Sequence, residues 1–275
     1  FELSTDYSHH FTNKIWTQIR GNFTYASNRY EVYEEPEYDE WWMSRVGYPI
    51  GQPRGYIAER LFVDDEEVYN SPGQNFGGIP NIAGDIKYKD LNNDGQIDAY
   101  DQTYICRGDV PAMVYGFGFT VGWKSLQVGM MFQGAHDAER IMSGSSIQPF
   151  NGGGGAGNLY SNIADRWTED NPNQNAFYPR LSYGAETSSN INNFQPSTWW
   201  VRDVSFMRLK TMQISYNLPK DWVNKLHLKN AAVYVMGNNL FTLSRFKLWD
   251  PELNTDNGAS YPNTTSYSAG INFTF

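Results

Sequence analysis

Apolar and polar positions alternate with period two along much of the chain. In residues 265–275, Tyr267, Ala269, Ile271, Phe273 and Phe275 fall on one face, and Ser266, Ser268, Gly270, Asn272 and Thr274 on the other. That is the spacing of a β-strand, whose successive side chains point to opposite faces. Ile15, Thr17, Ile19, Gly21, Phe23 and Tyr25 oppose Gln18, Arg20, Asn22 and Thr24 in the same way. Met113, Tyr115, Phe117, Phe119, Val121 and Trp123 oppose Gly116, Gly118, Thr120 and Gly122. After a short Lys124-Ser125 turn, Leu126, Val128, Met130 and Phe132 oppose Gln127, Gly129 and Gln133. Met212, Ile214 and Tyr216 oppose Gln213, Ser215 and Asn217, ahead of Leu218-Pro219. Phe1–Tyr7 alternates too, Ala231–Leu243 is a Tyr- and Val-rich strand, and Tyr56–Phe62 is a weaker one, which makes roughly eight strands.

An alternating strand has two homes. In a soluble sandwich the apolar face is core; in a membrane barrel it meets lipid, the polar face lines a wet lumen, and roughly 9–11 residues span the bilayer. Aromatic residues make up 16% of the chain, with 9 Trp and 19 Tyr, more than a small core needs. Such rings collect where one end is apolar and the other wet. Mean hydropathy is −0.59, and no apolar run approaches the roughly 18 residues of a membrane helix. That excludes helical spans but not a barrel. Short turns alternate with long connections, Asp64–Asp109, His136–Ser197 and Leu248–Asn263, rich in Gly, Asn, Asp and Pro. This fits a barrel with tight turns on one side and long loops on the other. Connections this long are functional or poorly ordered. A net charge of −9 argues against nucleic acid. The one cysteine, Cys106, excludes an intrachain disulfide. No signal peptide opens the chain; the first residue already lies in a strand pattern, so the start is expected to be internal to something longer.

The sharpest local motif runs from Asp90 to Asp101. Asp90, Asn92 and Asp94 hold loop positions 1, 3 and 5, Gly95 holds 6, and Asp98 and Asp101 hold 9 and 12. This spacing wraps a short backbone around a hard cation, with the Gln96 carbonyl at position 7. Ile97 would anchor the loop. A structural Ca2+ is therefore expected, with a metal-free Asx-rich turn as the alternative. An EF-hand has Glu at position 12; the shorter Asp101 resembles dockerin-type loops. Glu31–Glu40 carries six carboxylates, either a solvated acidic loop or a cation contact. Gly152, Gly154 and Gly157 satisfy G-x-G-x-x-G, but Gln148-Pro149 precedes them rather than a buried strand, so they read as loop. His9, His10, His136 and His227 have no H-E-x-x-H spacing, and neither G-x-S-x-G nor a Walker motif occurs. Nothing singles out a pair of carboxylates for glycoside hydrolysis, and no catalytic residue is assigned.

Several segments together resemble the C-terminal part of SusC/RagA-type TonB-dependent transporters of Bacteroidota outer membranes. They are Gly84-Asp85-Ile86-Lys87-Tyr88-Lys89-Asp90, Arg166-Trp167-Thr168-Glu169-Asp170-Asn171-Pro172, Pro179-Arg180-Leu181 and Ser197-Thr198-Trp199-Trp200-Val201-Arg202-Asp203. Phe206-Met207-Arg208-Leu209-Lys210, Gly237-Asn238-Asn239-Leu240-Phe241-Thr242, Trp249-Asp250-Pro251-Glu252 and the closing strand, which ends on an aromatic as bacterial outer-membrane barrels do, continue the series. The resemblance spans nearly the whole chain. It implies an all-β, transmembrane antiparallel barrel of about 22 strands around a plug, of which residues 1–275 supply the C-terminal third or so, without plug or TonB-contacting segment. Residues 84–109 form a calcium-loop-bearing connection within it. It also implies a SusD/RagB-like lipoprotein lid, TonB–ExbB–ExbD acting through the absent N-terminal part, outer-membrane lipid around the wall, and oligosaccharide or peptide cargo. Trp199, Trp200, Trp249 and Tyr160 are candidates for cargo or lid contact, since rings stack on sugar faces; they serve equally as girdle or loop packing.

Two other readings stand beside this one. A self-contained barrel of about eight strands, an adhesin or pore, requires Phe1–Tyr7 to pair with Thr265–Phe275. A secreted glycan-binding β-sandwich requires the apolar faces to be buried against a second sheet.

Overall fold

The computed structural model describes residues 1–77, 80–151, 159–182, 191–225 and 227–275. Gly152, Gly154 and Gly157 lie outside them. Seven long strands form one antiparallel sheet: β1 (Glu2–Thr12), β2 (Ile15–Tyr25), β3 (Met113–Trp123), β4 (Leu126–His136), β5 (Phe206–Asn217), β6 (Asn230–Ser244) and β7 (Ser266–Thr274). Each pairs with its neighbour in chain order, so the sheet is an up-and-down meander.

The register confirms the alternation residue by residue. Tyr7 lies opposite Ile19, Ile19 opposite Phe119, Phe119 opposite Met130 and Met130 opposite Met212. Farther along, Ile214 faces Val235, and Val233 faces Ile271. Directly opposed residues share a face, so these apolar side chains form one continuous surface. It is open to the surroundings: Phe119 is 38% exposed and Val235 57%. No second sheet covers it, because the remaining sheets among the described residues are two-stranded. The sandwich reading fails on this point.

The other face carries Gln18, Arg20, Thr120, Gln213 and Ser268, with glycines where larger partners need room. A Cβ on Gly122 would meet the Trp16 ring at 2.1 Å, and one on Gly270 the Tyr234 hydroxyl at 2.6 Å.

Two features of the strands are absent from a strict period-two reading. Lys210 is an extra residue in β5: Thr211 pairs with Met131, but Leu209 pairs with Phe132. This bulge re-phases the strand, so Met207 and Leu209 join Met212 and Ile214 on the apolar face although two residues, not one, separate Leu209 from Met212. At the β3–β4 hairpin Lys124 adopts φ 54, because a two-residue connection needs positive φ to match the strand twist. Tyr56–Phe62 does not join the sheet. Ala58–Leu61 pairs with Ile86–Tyr88 instead, and Tyr56, Leu61 and Phe62 are buried, so its apolar spacing serves a core rather than a two-faced wall.

The β1–β2, β3–β4 and β5–β6 connections lie at one end of the sheet. Three long connections, 26–112, 137–205 and 245–265, lie at the other. They are not loose. Short pairs brace them, Arg54–Gly55 with Thr103–Tyr104 and Glu139–Ile141 with Val201–Asp203. One buried cluster holds Tyr56, Leu61, Ile86, Tyr88, Ile97 and Trp167; another holds Met142, Ile147, Tyr178, Trp200, Val204 and Phe246. Trp199 packs against both. β1 and β7 are opposite edges of the sheet and do not pair with each other, so the closure that an autonomous eight-stranded barrel needs is not made.

Candidate functional site

The connections meet through a buried polar network. Asp85 is fully buried and takes a bidentate pair from Arg180, Nε to Oδ1 and Nη2 to Oδ2, each at 3.0 Å. Its oxygens also accept from Asn193 Nδ2 at 2.9 Å and from the Ile82 amide at 3.0 Å. Asn193 Oδ1 in turn accepts from the Ile86 amide, and its carbonyl accepts from Trp200 Nε1. Gln74 and Asn192 close the set: both donate to the Ile86 carbonyl, and Tyr88 Oη donates to the Asn192 carbonyl at 2.6 Å. Neutral and charged partners thus satisfy one another in a low-dielectric place, where each unmade bond would be costly. Gly84 sits beside it at φ 82, and a Cβ there would lie 2.3 Å from the Trp167 ring. Only glycine permits both the conformation and the approach.

A second set of contacts ties the third connection to the wall. Arg208 on β5 is almost fully buried and pairs with Asp250; its Nε lies 3.3 Å from Glu252 Oε2. Lys210, at the bulge, reaches Glu252 at 3.5 Å.

Glu67 forms a third. It pairs with Arg60 and with Lys87 Nζ at 2.9 Å, and accepts from the Val63 amide at 2.9 Å. Burial raises its pKa, but these partners outweigh it and hold the carboxyl at about 2. The stabilisation is complete above the ordinary value of 4.5 and is lost as pH falls from there through about 2. It amounts to at most about 3 kcal/mol. Glu67→Gln should therefore raise hydrogen exchange in residues 58–70 at neutral pH and flatten its acid dependence. An unchanged acid profile would remove Glu67 from this role.

The sequence-predicted ligands Asp90, Asn92, Asp94, Gln96, Asp98 and Asp101 share one tight loop. Its donors are all oxygens, which suits a hard cation, and Asn93 and Gly95 take φ 61 and 84. Ile97 is buried in the first core cluster, anchoring the loop as its position suggests. The carboxylates are turned onto amides, however. Asp90 accepts from Asn93 and Gly95, Asp94 from Gln96, Asp98 from Tyr100, and Asp101 from Leu91 and Asp98. Burial pushes the Asp101 carboxyl up, against the lowering effect of its amide donors. Among the described residues no three His, Cys, Asp or Glu side chains converge as a metal-holding group.

The four aromatic candidates part company. Trp200 is 1% exposed and packs wholly into the core, where it holds the loops together. Tyr160 and Trp249, far apart in sequence, line one cavity of about 150 Å³ with Lys247 and Leu248. Trp199 lines a different cavity of about 430 Å³. Sequence reasoning missed Asp85, Arg180 and Asn193 as a unit. Their motifs were visible, but nothing in one sequence says which buried charge meets which.

No family model matches the chain. It is similar to TonB-dependent receptor P26 of Formosa agariphila, 32% identical over 208 residues, which is 71% of this chain and 20% of that protein. TonB-dependent receptor P3 of the same organism is 26% identical, with all of this chain and 28% of the relative covered. Among solved structures, the RagAB peptide importer in its closed-closed state superposes with a TM-score of 0.67 at 21% identity, over 100% of this chain and 29% of that one. The chain thus spans between a fifth and a third of the length of these proteins. The relatives are receptors and not enzymes; this chain folds as one large antiparallel sheet, and no helix among its described residues is long and apolar enough to cross a membrane. An apolar-out, polar-in meander, the loop motifs gathered into one assembly at its end, and these likenesses make the chain a segment of the β-barrel of a TonB-dependent receptor.

Proposed function

We propose that the chain forms part of the wall and outer loop assembly of an outer-membrane importer that takes up oligosaccharides or peptides. In this reading it works with a SusD/RagB-like lipoprotein lid and is driven by TonB–ExbB–ExbD through other parts of the protein. The observation that carries it is the single apolar face continuous across β1–β7, backed by a polar, glycine-cleared face. Lipid solvates the first and water the second. Unpaired edges at β1 and β7 suit further strands of the same wall.

The reading has a direct test in the full-length receptor. Phe119→Arg, on the apolar face, should cost about 2–4 kcal/mol near the bilayer midplane and reduce the heat-modifiable, folded fraction in outer membranes. Thr120→Arg, one residue on and facing inward, should leave folding intact. Equal tolerance at both positions would sink the membrane assignment. Cargo uptake that persists without TonB would sink the importer.

The same reading gives the Asp90–Asp101 loop a structural calcium ion, supported by the ligand spacing and the two left-handed turns. Binding requires Asp94 and Asp98 to rotate from their amide partners toward the ion. Calcium should then protect residues 90–101 from hydrogen exchange, and Asp94→Ala should abolish that protection. Indifference to calcium and to chelator would leave a metal-free Asx turn.

A further inference from the structure

The cavity of about 430 Å³ lies between the first and second long connections, and its walls include Arg202, Trp199, Phe177, Gln174, Asn175 and Asp165. Arg202 is rigidly presented there. Its guanidinium carbon lies 4.6 Å from the Phe177 ring centroid, and Nη1 donates to the carbonyls of Trp199 at 2.7 Å and Val201 at 2.8 Å. Among the described residues no acceptor takes the donors on Nε and Nη2, and no carboxylate lies within 4.0 Å. Burial lowers the pKa of this guanidinium, as expected of a cation that has lost water without gaining a counter-ion.

Its neighbours differ. Arg180 has Asp85, Arg208 has Asp250 and Glu252, and Arg60 has Glu67, while Arg140 has Asp109 and Asp256 only at 3.8 and 4.0 Å, without a hydrogen bond to either. A partly desolvated guanidinium without a counter-ion is costly, and a planar fork with free donors matches one chemical shape above others, a carboxylate. A second signal is independent of the charge. Gln174 lines the same cavity, and its Oε1 is turned into the wall, buried without a hydrogen-bond partner; rotation of the amide brings it to the cavity. It needs a donor close to the anion.

We propose that this cavity is a cargo subsite for a carboxylate, which Arg202 holds in a bidentate pair over the Phe177 and Trp199 rings while Gln174 accepts from an adjacent N–H or O–H of the ligand. Two ligands carry that arrangement: the terminal carboxylate of a peptide, with its neighbouring amide, and the carboxylate of a uronic acid sugar, with its neighbouring hydroxyl. Asp165 stands exposed on the same wall and repels either.

The inference rests on the import reading, and the two fail differently. The test is a binding titration of the full-length receptor in detergent with four probes: a tripeptide with a free C-terminus, its C-terminal amide, an oligouronate and a neutral oligosaccharide of equal length. One carboxylate probe should bind at least about tenfold more tightly than its neutral counterpart, the worth of one charge-assisted pair. Which of the two does so identifies the source. Arg202→Gln should remove that preference, and Asp165→Asn should tighten the carboxylate about two- to threefold. Should Arg202→Gln fail to fold, the wild-type contrast and Asp165→Asn still decide. Equal binding of charged and neutral probes, no binding of either carboxylate, or an unchanged preference in Arg202→Gln overturns the proposal. Loss of the import reading would appear instead as absent uptake in cells despite selective binding.

Discussion

Asp85→Ala is expected to unfasten the first long connection from the second, at about 3–5 kcal/mol, the range for breaking one partner out of a buried ion pair. Asp85 is fully buried, and among the described residues four donors converge on it: two from Arg180, one from Asn193 and one from the Ile82 amide. Alanine leaves all four without their acceptor, and Arg180 is too enclosed for water to replace the carboxylate cheaply. Asp85→Asn should cost less, because it keeps the shape and some hydrogen bonds while losing the charge. The measurement is hydrogen exchange by mass spectrometry on the full-length receptor. Protection should fall over residues 82–88 and 191–200 and hold over β3 and β4, whose hydrogen bonds are made within the sheet. Unchanged protection at 82–88 would mean that the aromatic clusters alone hold the assembly.

Arg208→Met is expected to release the third connection, at about 3 kcal/mol. Arg208 is 3% exposed and neutralises Asp250 and Glu252 together, leaving only Lys210 to share Glu252 when it is gone. Two carboxylates would then sit close together with one partly exposed lysine. Limited proteolysis should cut within 245–265 in the variant and not in the parent, and acidification should partly restore resistance, because protonated carboxyls no longer repel. Resistance that does not change with the substitution would show that Phe246 and Trp249 secure this connection by packing alone.

The two variants probe different parts of one design. Seven strands supply a wall whose surface is dictated by solvent on each side. The connections supply a packed assembly whose coherence rests on a few enclosed charges. Arg202 has no carboxylate partner among the described residues, and the buried, unpartnered Gln174 oxygen beside it is what singles out its cavity.

The wall was legible in the amino-acid sequence. Period-two alternation places Ile19, Phe119, Ile214 and Ile271 on the apolar faces of their strands, because strand geometry allows a side chain only two directions and the bilayer rewards one of them. Four of the seven strands, β2, β3, β6 and β7, were found nearly at full length, whereas β1 was read only to Tyr7 and β4 to Gln133. The lower half of β5 was missed because Lys210 interrupts the period, and a bulge corrects by backbone geometry what the pattern alone reads as a stop. The family resemblance was legible as well, since it rests on ordered local motifs such as Gly84-Asp85-Ile86 and Pro179-Arg180-Leu181.

Only the tertiary structure decided how those motifs meet. Asp85 and Arg180 lie 95 residues apart, as do many carboxylates and arginines that never touch, and sequence spacing carries no information about such closures. The same limit applied to the aromatic candidates: Trp199 and Trp200 are neighbours in sequence, yet one lines a cavity and the other is sealed in the core. Local periodicity determines which way a strand's side chains point. Which buried charge finds a partner, and which is left facing a cavity, is determined by the packing of segments that are distant along the chain.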